Sequence, residues 1–274
     1  MNCRGKTLTL GARTHVMGIL NVTPDSFSDG GCYLDVQQAV VHAKSMVAEG
    51  ATLIDIGGES SRPGASPVSI DEELARVIPV IRAIVGAVDV LISVDTYKSE
   101  VARQALEAGA HLINDITALR GDPAMASVVA EMEAGLILMH IKGTPRTMQK
   151  APQYDDVVGE VYASLQESIQ TAEAADVAAE RIIIDPGIGF GKTAEHNIEL
   201  LKRLTEFRSL NKPLLIGTSR KSFIGTVLGL PVTERVEGTA ATVCWAITHG
   251  ADIVRVHDVK ANVRAAEMTD ALYR

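Results

Sequence analysis

The sequence predicts an α/β fold of one domain spanning residues 1–274, a single (β/α)8 barrel with a short N-terminal β-hairpin. Three observations lead there. At 274 residues the chain is near the usual size of one closed barrel. Hydrophobic residues make up 46% but aromatics only 4%, so the core must come from Val, Ile, Leu, Ala and Met, which suits parallel strands covered on both faces by helices. Finally, one phrase recurs: Glu49-Gly50-Ala51-Thr52-Leu53-Ile54-Asp55-Ile56, Ala108-Gly109-Ala110-His111-Leu112-Ile113-Asn114-Asp115, Ala134-Gly135-Leu136-Ile137-Leu138-Met139-His140 and His249-Gly250-Ala251-Asp252-Ile253-Val254-Arg255-Val256. Each reads as a helix end, a left-handed glycine that stops the helix at little cost, and a buried strand.

In chain order, a short alternating stretch at 7–10 precedes strands expected near 15–20, 52–57, 90–95, 111–116, 135–140, 182–186, 213–218 and 253–257. The stretches between them have helical spacing. Residues 35–49 put Val36, Ala39, Val40, Ala43, Met46 and Val47 on one face, as a helix of the outer ring requires, and the longest such stretch covers about 155–179. An open doubly wound sheet is the competing architecture. Eight βα steps without a change of rhythm fit closure better.

Composition narrows the function classes. The net charge of −8 and the absence of a long Lys/Arg run argue against nucleic acid or an acidic membrane as partner, while leaving room for a local anion site. Cys3, Cys32 and Cys244 are scattered and lack CxxC spacing, which points to a reducing compartment. The first residues hold no apolar signal region, and no apolar run reaches the ~18 residues of a membrane span, so the expected location is the cytoplasm.

The predicted strands share a polar ending: Asn21, Asp95, Asn114 with Asp115, His140, Asp185, Ser219 with Arg220, and Arg255 with His257. Residues two apart in a strand share a face, so Arg255 and His257 point together, as do Ser93 and Asp95. Polar groups therefore collect at one rim, the rim that carries chemistry in barrels of this kind. They divide into two arcs. The eighth, first and second strands offer Arg255, His257, Asn21, Ser61 and Arg62, a donor-rich set suited to phosphate oxygens. The third, fourth and sixth offer Asp95, Asn114 and Asp185, with Lys221 after the seventh. Buried acceptors of this sort call for a donor-bearing partner, and a planar heterocycle with adjacent N–H groups is one. The implied ligand has a donor-bearing ring at one end and an anion at the other.

Two loops exceed the ~2–6 residues usual after a barrel strand. They are Asn21-Val22-Thr23-Pro24-Asp25-Ser26-Phe27-Ser28-Asp29-Gly30-Gly31 and Gly57-Gly58-Glu59-Ser60-Ser61-Arg62-Pro63-Gly64-Ala65-Ser66-Pro67, both beside the anion arc, where closing loops would exclude water. Pro186-Gly187-Ile188-Gly189-Phe190-Gly191-Lys192-Thr193 resembles a phosphate loop, but proline stands where its first glycine is required. Its glycines are expected to let the chain leave the sixth strand tightly, with Asp185 and Phe190 beside a flat ligand. Neither HExxH, a Cys/His cluster nor catalytic-triad spacing is present.

Asn21-Val22-Thr23-Pro24-Asp25-Ser26-Phe27, Gly58-Glu59-Ser60-Ser61-Arg62-Pro63-Gly64, Asp185-Pro186-Gly187-Ile188-Gly189-Phe190, Ser219-Arg220-Lys221-Ser222-Phe223 and Arg255-Val256-His257-Asp258 resemble the motifs of the dihydropteroate synthase family of pterin-binding barrels, from about residue 8 to the C-terminus. The resemblance implies condensation of 6-hydroxymethyl-7,8-dihydropterin diphosphate with p-aminobenzoate. It implies a pterin site of Asp95, Asn114, Met139, Asp185 and Lys221, and a diphosphate site of Asn21, Ser61, Arg62, Arg255 and His257 with Mg2+ at Asn21. Phe27, Pro63, Phe190, Lys221 and Ser222 would shape the p-aminobenzoate pocket, which in the family also receives sulfonamides. Lys221, Arg255, His257 and Asp95 are the residues expected to carry the chemistry, and a homodimer through the later outer helices is implied by the family alone. Two positions depart from the family pattern: Ser61 replaces a common threonine and keeps its hydroxyl, and Lys142 stands where glutamine is frequent, read here as a solvated surface group. Two alternatives share the barrel and the pterin arc. A methyltetrahydrofolate:corrinoid methyltransferase has no need of the diphosphate arc, and a non-catalytic pterin-binding homologue has no need of the intact first loop.

Overall fold

The computed structural model describes residues 1–22 and 32–274, with side chains from residue 36 onward in the second stretch. Its elements, in order, are β1 (Asn2–Cys3), β2 (Lys6–Thr7), β3 (His15–Asn21), α1 (Cys32–Ala48), β4 (Leu53–Gly57), α2 (Ile70–Val85), β5 (Leu91–Asp95), α3 (Ser99–Glu107) and β6 (Leu112–Asp115). There follow α4 (Met125–Glu131), β7 (Gly135–Met139), α5 (Val157–Ala174), β8 (Ile182–Asp185), α6 (Ala194–Lys202), β9 (Leu215–Ile216), α7 (Ser222–Leu228), α8 (Val236–Thr248), β10 (Ile253–Val256) and α9 (Val259–Tyr273). Strands β3 to β10 form one parallel sheet in the order β8-β7-β6-β5-β4-β3-β10-β9. A parallel bridge between Ile184 and Leu214, with the Ile184 N–H donating to Pro213 O at 2.9 Å, joins its two edges and closes the barrel.

The eight predicted strands are all present. Their neighbours around the ring are also those a closed barrel requires, so the eighth, first and second strands of the sequence reading, β10, β3 and β4, are adjacent. β9 is the shortest, because beyond Ile216 the chain already turns, with Thr218 O accepting from Lys221 N–H at 3.1 Å. The long helix predicted over 155–179 is trimmed to α5 by a cap at each end: Asp156 accepts from the Val158 N–H at 3.2 Å, and Asp176 takes a left-handed φ of 65°.

The recurring glycine works as expected at three of its four positions, where φ is +107° at Gly50, +110° at Gly109 and +100° at Gly250. At the fourth the left-handed residue is Glu133, and Gly135 opens β7 for a different reason. A Cβ there would lie 2.8 Å from Cys3 Sγ and 2.9 Å from Leu112 Cγ, so glycine makes room for the N-terminal hairpin.

That hairpin turns through Arg4 and Gly5, both at positive φ (52° and 84°), as a two-residue turn between antiparallel strands demands. It stops the barrel's amino-terminal end. Cys3 and Leu8 pack on a floor of Met17, Leu53, Leu91, Leu112, Ile137, Ile183, Leu215 and Ile253, one inward residue from each strand. The larger core lies between strands and helices, where Ile54, Ile56, Ile92 and Val94 face α2 and α3 residues such as Val77, Ile81, Val101 and Leu106. With the floor sealed by apolar groups, the polar interior positions are left at the carboxyl-terminal mouth. No helix among the described residues is long and apolar enough to cross a membrane.

Candidate active site

At the mouth, inward side chains change from apolar to ionic within one step of each strand. On β4 Leu53 is followed inward by Asp55, on β5 Leu91 by Ser93 and Asp95, and on β10 Ile253 by Arg255. Arg255 reaches across the barrel. Its Nε donates to Asp55 Oδ2 at 2.6 Å and its Nη2 to Asp95 Oδ2 at 2.9 Å. Asp55 is fully buried and also accepts from Asn114 Nδ2 at 3.0 Å. Arg255 thus pairs with Asp55 on its own arc and, through Asp95, bridges to the other, because a largely desolvated guanidinium needs counter-ions.

The balance of this site is unsatisfied. Asp55 Oδ1, Ser93 Oγ and Asn114 Oδ1 are buried with no hydrogen-bond partner among the described residues. Burial pushes Asp95 up to about 7, outweighing an Arg255 that it shares with Asp55. Burial likewise pushes Asp185 up to about 6, against the Gly187 N–H that donates to it at 2.7 Å. Desolvation at the mouth draws Lys221, which is partly buried, down to about 7 despite the attraction of Asp185. Arg255 is held above its ordinary value: burial opposes its charge, but Asp55 and Asp95 together prevail. A set of acceptors so short of donors is built to receive them from a ligand.

The segment after β8 shapes one wall. Gly187, Gly189 and Gly191 have φ of 68°, 84° and 66°. A Cβ on Gly187 would fall 1.9 Å from His140 O, so only glycine passes there. Lys192, buried, donates from Nζ to Gly187 O at 2.9 Å and Phe190 O at 3.0 Å, and lies 2.9 Å from His140 Nδ1. The result is a fixed platform on which Lys221 Nζ sits 3.9 Å from the Phe190 ring centroid. Phe190 joins Met139, Met148, Ile116 and Ile141 in a small apolar cluster beside the polar groups.

Above these groups opens a cavity of about 350 Å3, lined among others by Asn21, Ser61, Arg62, Pro63, Asp95, Phe190, Lys221, Ser222, Arg255 and His257. Ten of the predicted site residues are thus brought together. Asn114, Met139 and Asp185 are buried at adjoining strand ends, and Phe27 lies outside the described residues. His257 is fixed by Ser219, whose Oγ is 2.9 Å from its Nδ1 and accepts from its backbone N–H at 3.0 Å, which leaves Nε2 as the nitrogen free for a ligand. Burial holds His257 down to about 4.

Sequence reasoning missed Asp55 and Lys192 as site residues, and put Ser219 at the rim without its role of holding His257. Asp55 carried a legible signal, a lone carboxylate inside the apolar run Leu53-Ile54-Asp55-Ile56, overlooked because it stands before the strand's end. Lys142 is an exposed surface group, as expected, but not an idle one. Its Nζ donates to Gln153 O at 2.5 Å, pairs with Glu160 at 3.0 Å and lies 3.9 Å from the centre of the Tyr154 ring, tying the segment after β7 to α5.

A barrel mouth with buried carboxylates, a platform aromatic and an adjoining cationic arc defines a pterin-binding barrel enzyme, and the family described as "Pterin binding enzyme" matches residues 17–257. A dihydropteroate synthase of Synechocystis sp. is 53% identical over 272 residues, covering 98% of this chain and 94% of that protein. Among solved structures, the Yersinia pestis dihydropteroate synthase with a sulfonamide drug superposes at a TM-score of 0.94, with 48% identity over 99% of this chain and 98% of that one. The Xanthomonas albilineans dihydropteroate synthase with 4-aminobenzoic acid gives 0.92, with 48% identity over 98% and 96%. The chain belongs to the dihydropteroate synthase family, the transferases of folate biosynthesis.

Proposed function

We propose that this chain joins 6-hydroxymethyl-7,8-dihydropterin diphosphate to p-aminobenzoate, giving 7,8-dihydropteroate and diphosphate. The observation that carries the reading is the meeting of Asp95 and Lys221 with Asn21, Arg62, Arg255 and His257 around one cavity. The pterin's ring N–H and amino groups would donate to Asn114 Oδ1, which has no partner, and to the acceptor capacity left on Asp95 and Asp185, and Met139 and Phe190 offer its faces an apolar contact. Pro63, Phe190, Lys221 and Ser222 line the side from which the arylamine approaches, with Phe27 expected to join them.

The reaction breaks the bond between the ring methylene and the diphosphate oxygen, and the electron pair leaves with diphosphate. Arg62, Arg255, His257, the Asn21 amide and the Ser61 hydroxyl receive that charge, while Asp95 and Asp185 steady the positive charge spreading into the ring. The arylamine lone pair then forms the C–N bond, and its proton passes to diphosphate or water. The protein's own nucleophiles are not needed.

Mg2+ fits the donor set. No group of three His, Cys, Asp or Glu residues suited to a metal exists among the described residues. Asn21 Oδ1 and Asp95 Oδ2 both lie 3.9 Å from the position of a Cβ on Gly57, so one amide oxygen and one carboxylate face the same end. That suits a hard cation held mainly by water and substrate oxygens, with Asn21 as its protein ligand. Bound there, Mg2+ would offset charge on the diphosphate.

A cytoplasmic homodimer is part of the proposal. Trp245, Val227, Leu228 and Met268, on α7, α8 and α9, are large and exposed, which supports association through this side; sedimentation velocity reading a monomer at micromolar concentration would overturn it. The residue assignments are tested by Lys221→Ala and Arg255→Ala. Each should lower product formation at least about 100-fold while circular dichroism stays native. Turnover within twofold of the parent in either variant would refute the assignment.

A further inference from the structure

The segment that carries Ser61, Arg62 and Pro63 is held at its base by a largely buried group of charges, of which Glu59 also lines the edge of the cavity and none has a step in the reaction. Glu59, which opens the segment, accepts from Tyr97 OH at 2.8 Å through Oε1 and from Lys98 Nζ at 2.5 Å through Oε2. The same Oε2 accepts from the Val68 N–H at 3.2 Å, and Lys98 Nζ donates to Val68 O at 2.7 Å, so both ends of the segment meet on one ion pair. Lys98 also bonds Glu73 Oε2 at 2.5 Å, on α2. The side chains of Lys98, Glu59 and Glu73 are 12%, 10% and 1% exposed. By contrast, the Arg62 guanidinium makes no hydrogen bond to another described side chain. The loop is thus fixed at its root by side chains, while nearer the tip the Gly64 N–H donates to Pro145 O at 3.1 Å.

Burying one ammonium with two carboxylates is a weak way to stabilise a fold, since desolvation offsets most of the attraction and an apolar cluster of equal volume does as well. Directed hydrogen bonds fix geometry in a way apolar contacts do not. Lys98 is also three residues beyond Asp95, so the pairing ties the root of the second-strand loop to the strand end that carries a pterin-facing carboxylate. We propose that Lys98, through Glu59 and Glu73, is a positioning residue that sets the pose of Ser61, Arg62 and Pro63 for the diphosphate and the arylamine, without touching either substrate. The proposal rests on the function argued above.

Two readouts test it. In Lys98→Met the KM for p-aminobenzoate should rise about tenfold or more, as misplacing a binding loop does. The Kd for 6-hydroxymethylpterin, which lacks the diphosphate and uses the barrel strands alone, should stay within twofold. Lys98→Arg should recover most of the loss, and Glu59→Gln, a near-isostere that keeps a bond to Tyr97, should lie between. Amide hydrogen exchange over residues 60–68 should quicken in Lys98→Met while that of β5 and β6 does not, a readout independent of turnover. Equal loss of pterin affinity and KM, or an unchanged KM with unchanged exchange, would overturn the proposal. Failure of the parent protein to turn over would strike the functional reading and leave the exchange result to decide the loop's anchoring.

Discussion

Two buried carboxylates, Asp55 and Asp185, and the partly buried Asp95 face two partly buried cations, Arg255 and Lys221, and their loss of water decides how the site titrates. The site keeps protons that the unfolded chain would release. Asp95 is raised from 3.8 to about 7, so its contribution to stability is full below pH about 4 and is lost as the pH rises through about 7. Lys221, lowered from 10.5 to about 7, has the opposite sign and acts above pH 7, where stability is regained. The windows separate. Between pH 4 and 7 the Tm of the parent should therefore fall relative to that of Asp95→Asn, which has nothing to ionise; parallel curves would refute the assignment. Asp95, Asn114, Asp185 and Lys221 were legible in the sequence because each ends or follows an apolar run. The bond from Arg255 to Asp55, 200 residues apart, was not, since it exists only once β10 and β4 flank β3 in a closed ring.

At the scale of elements, the strands were legible because each apolar run is bounded by a helix end, and their mouth residues followed from alternation. The connections between elements were not. Lys192 shows why: the sequence places it at the end of a glycine-rich string, where it suggests a phosphate contact, yet its ammonium is buried beneath the loop as donor to two carbonyls. Burial pulls its pKa well below the ordinary lysine value. In Lys192→Met those carbonyls and His140 Nδ1 lose their donor at a cost of about 1–3 kcal/mol each, partly offset by no longer burying an amine. We expect a net loss of about 2 kcal/mol in urea denaturation and a weaker pterin, because Gly189 and Phe190 shape the seat of Lys221. Unchanged stability and unchanged pterin affinity together would contradict that role. The Glu59–Lys98 pairing belongs to the same class of contact, joining the root of one loop to the start of α3, and no periodicity announces it.

For the molecule as a whole, the barrel separates two tasks by height. The amino-terminal end is apolar and stoppered by the hairpin through Cys3 and Leu8, while the mouth gathers the ionic groups from every side. Such a design allows charged side chains to be buried around a ligand without weakening the floor, and it brings the anion-handling and ring-recognising arcs within one cavity. The central claim is that these arcs hold the two ends of one pterin diphosphate while a second substrate attacks between them. It is tested most directly by measuring diphosphate release with pterin diphosphate and Mg2+ present and p-aminobenzoate added or withheld. The account predicts release only when both substrates are present, one diphosphate for each dihydropteroate formed. Equal release without the arylamine, or methyl transfer to a corrinoid with no diphosphate released, would contradict it.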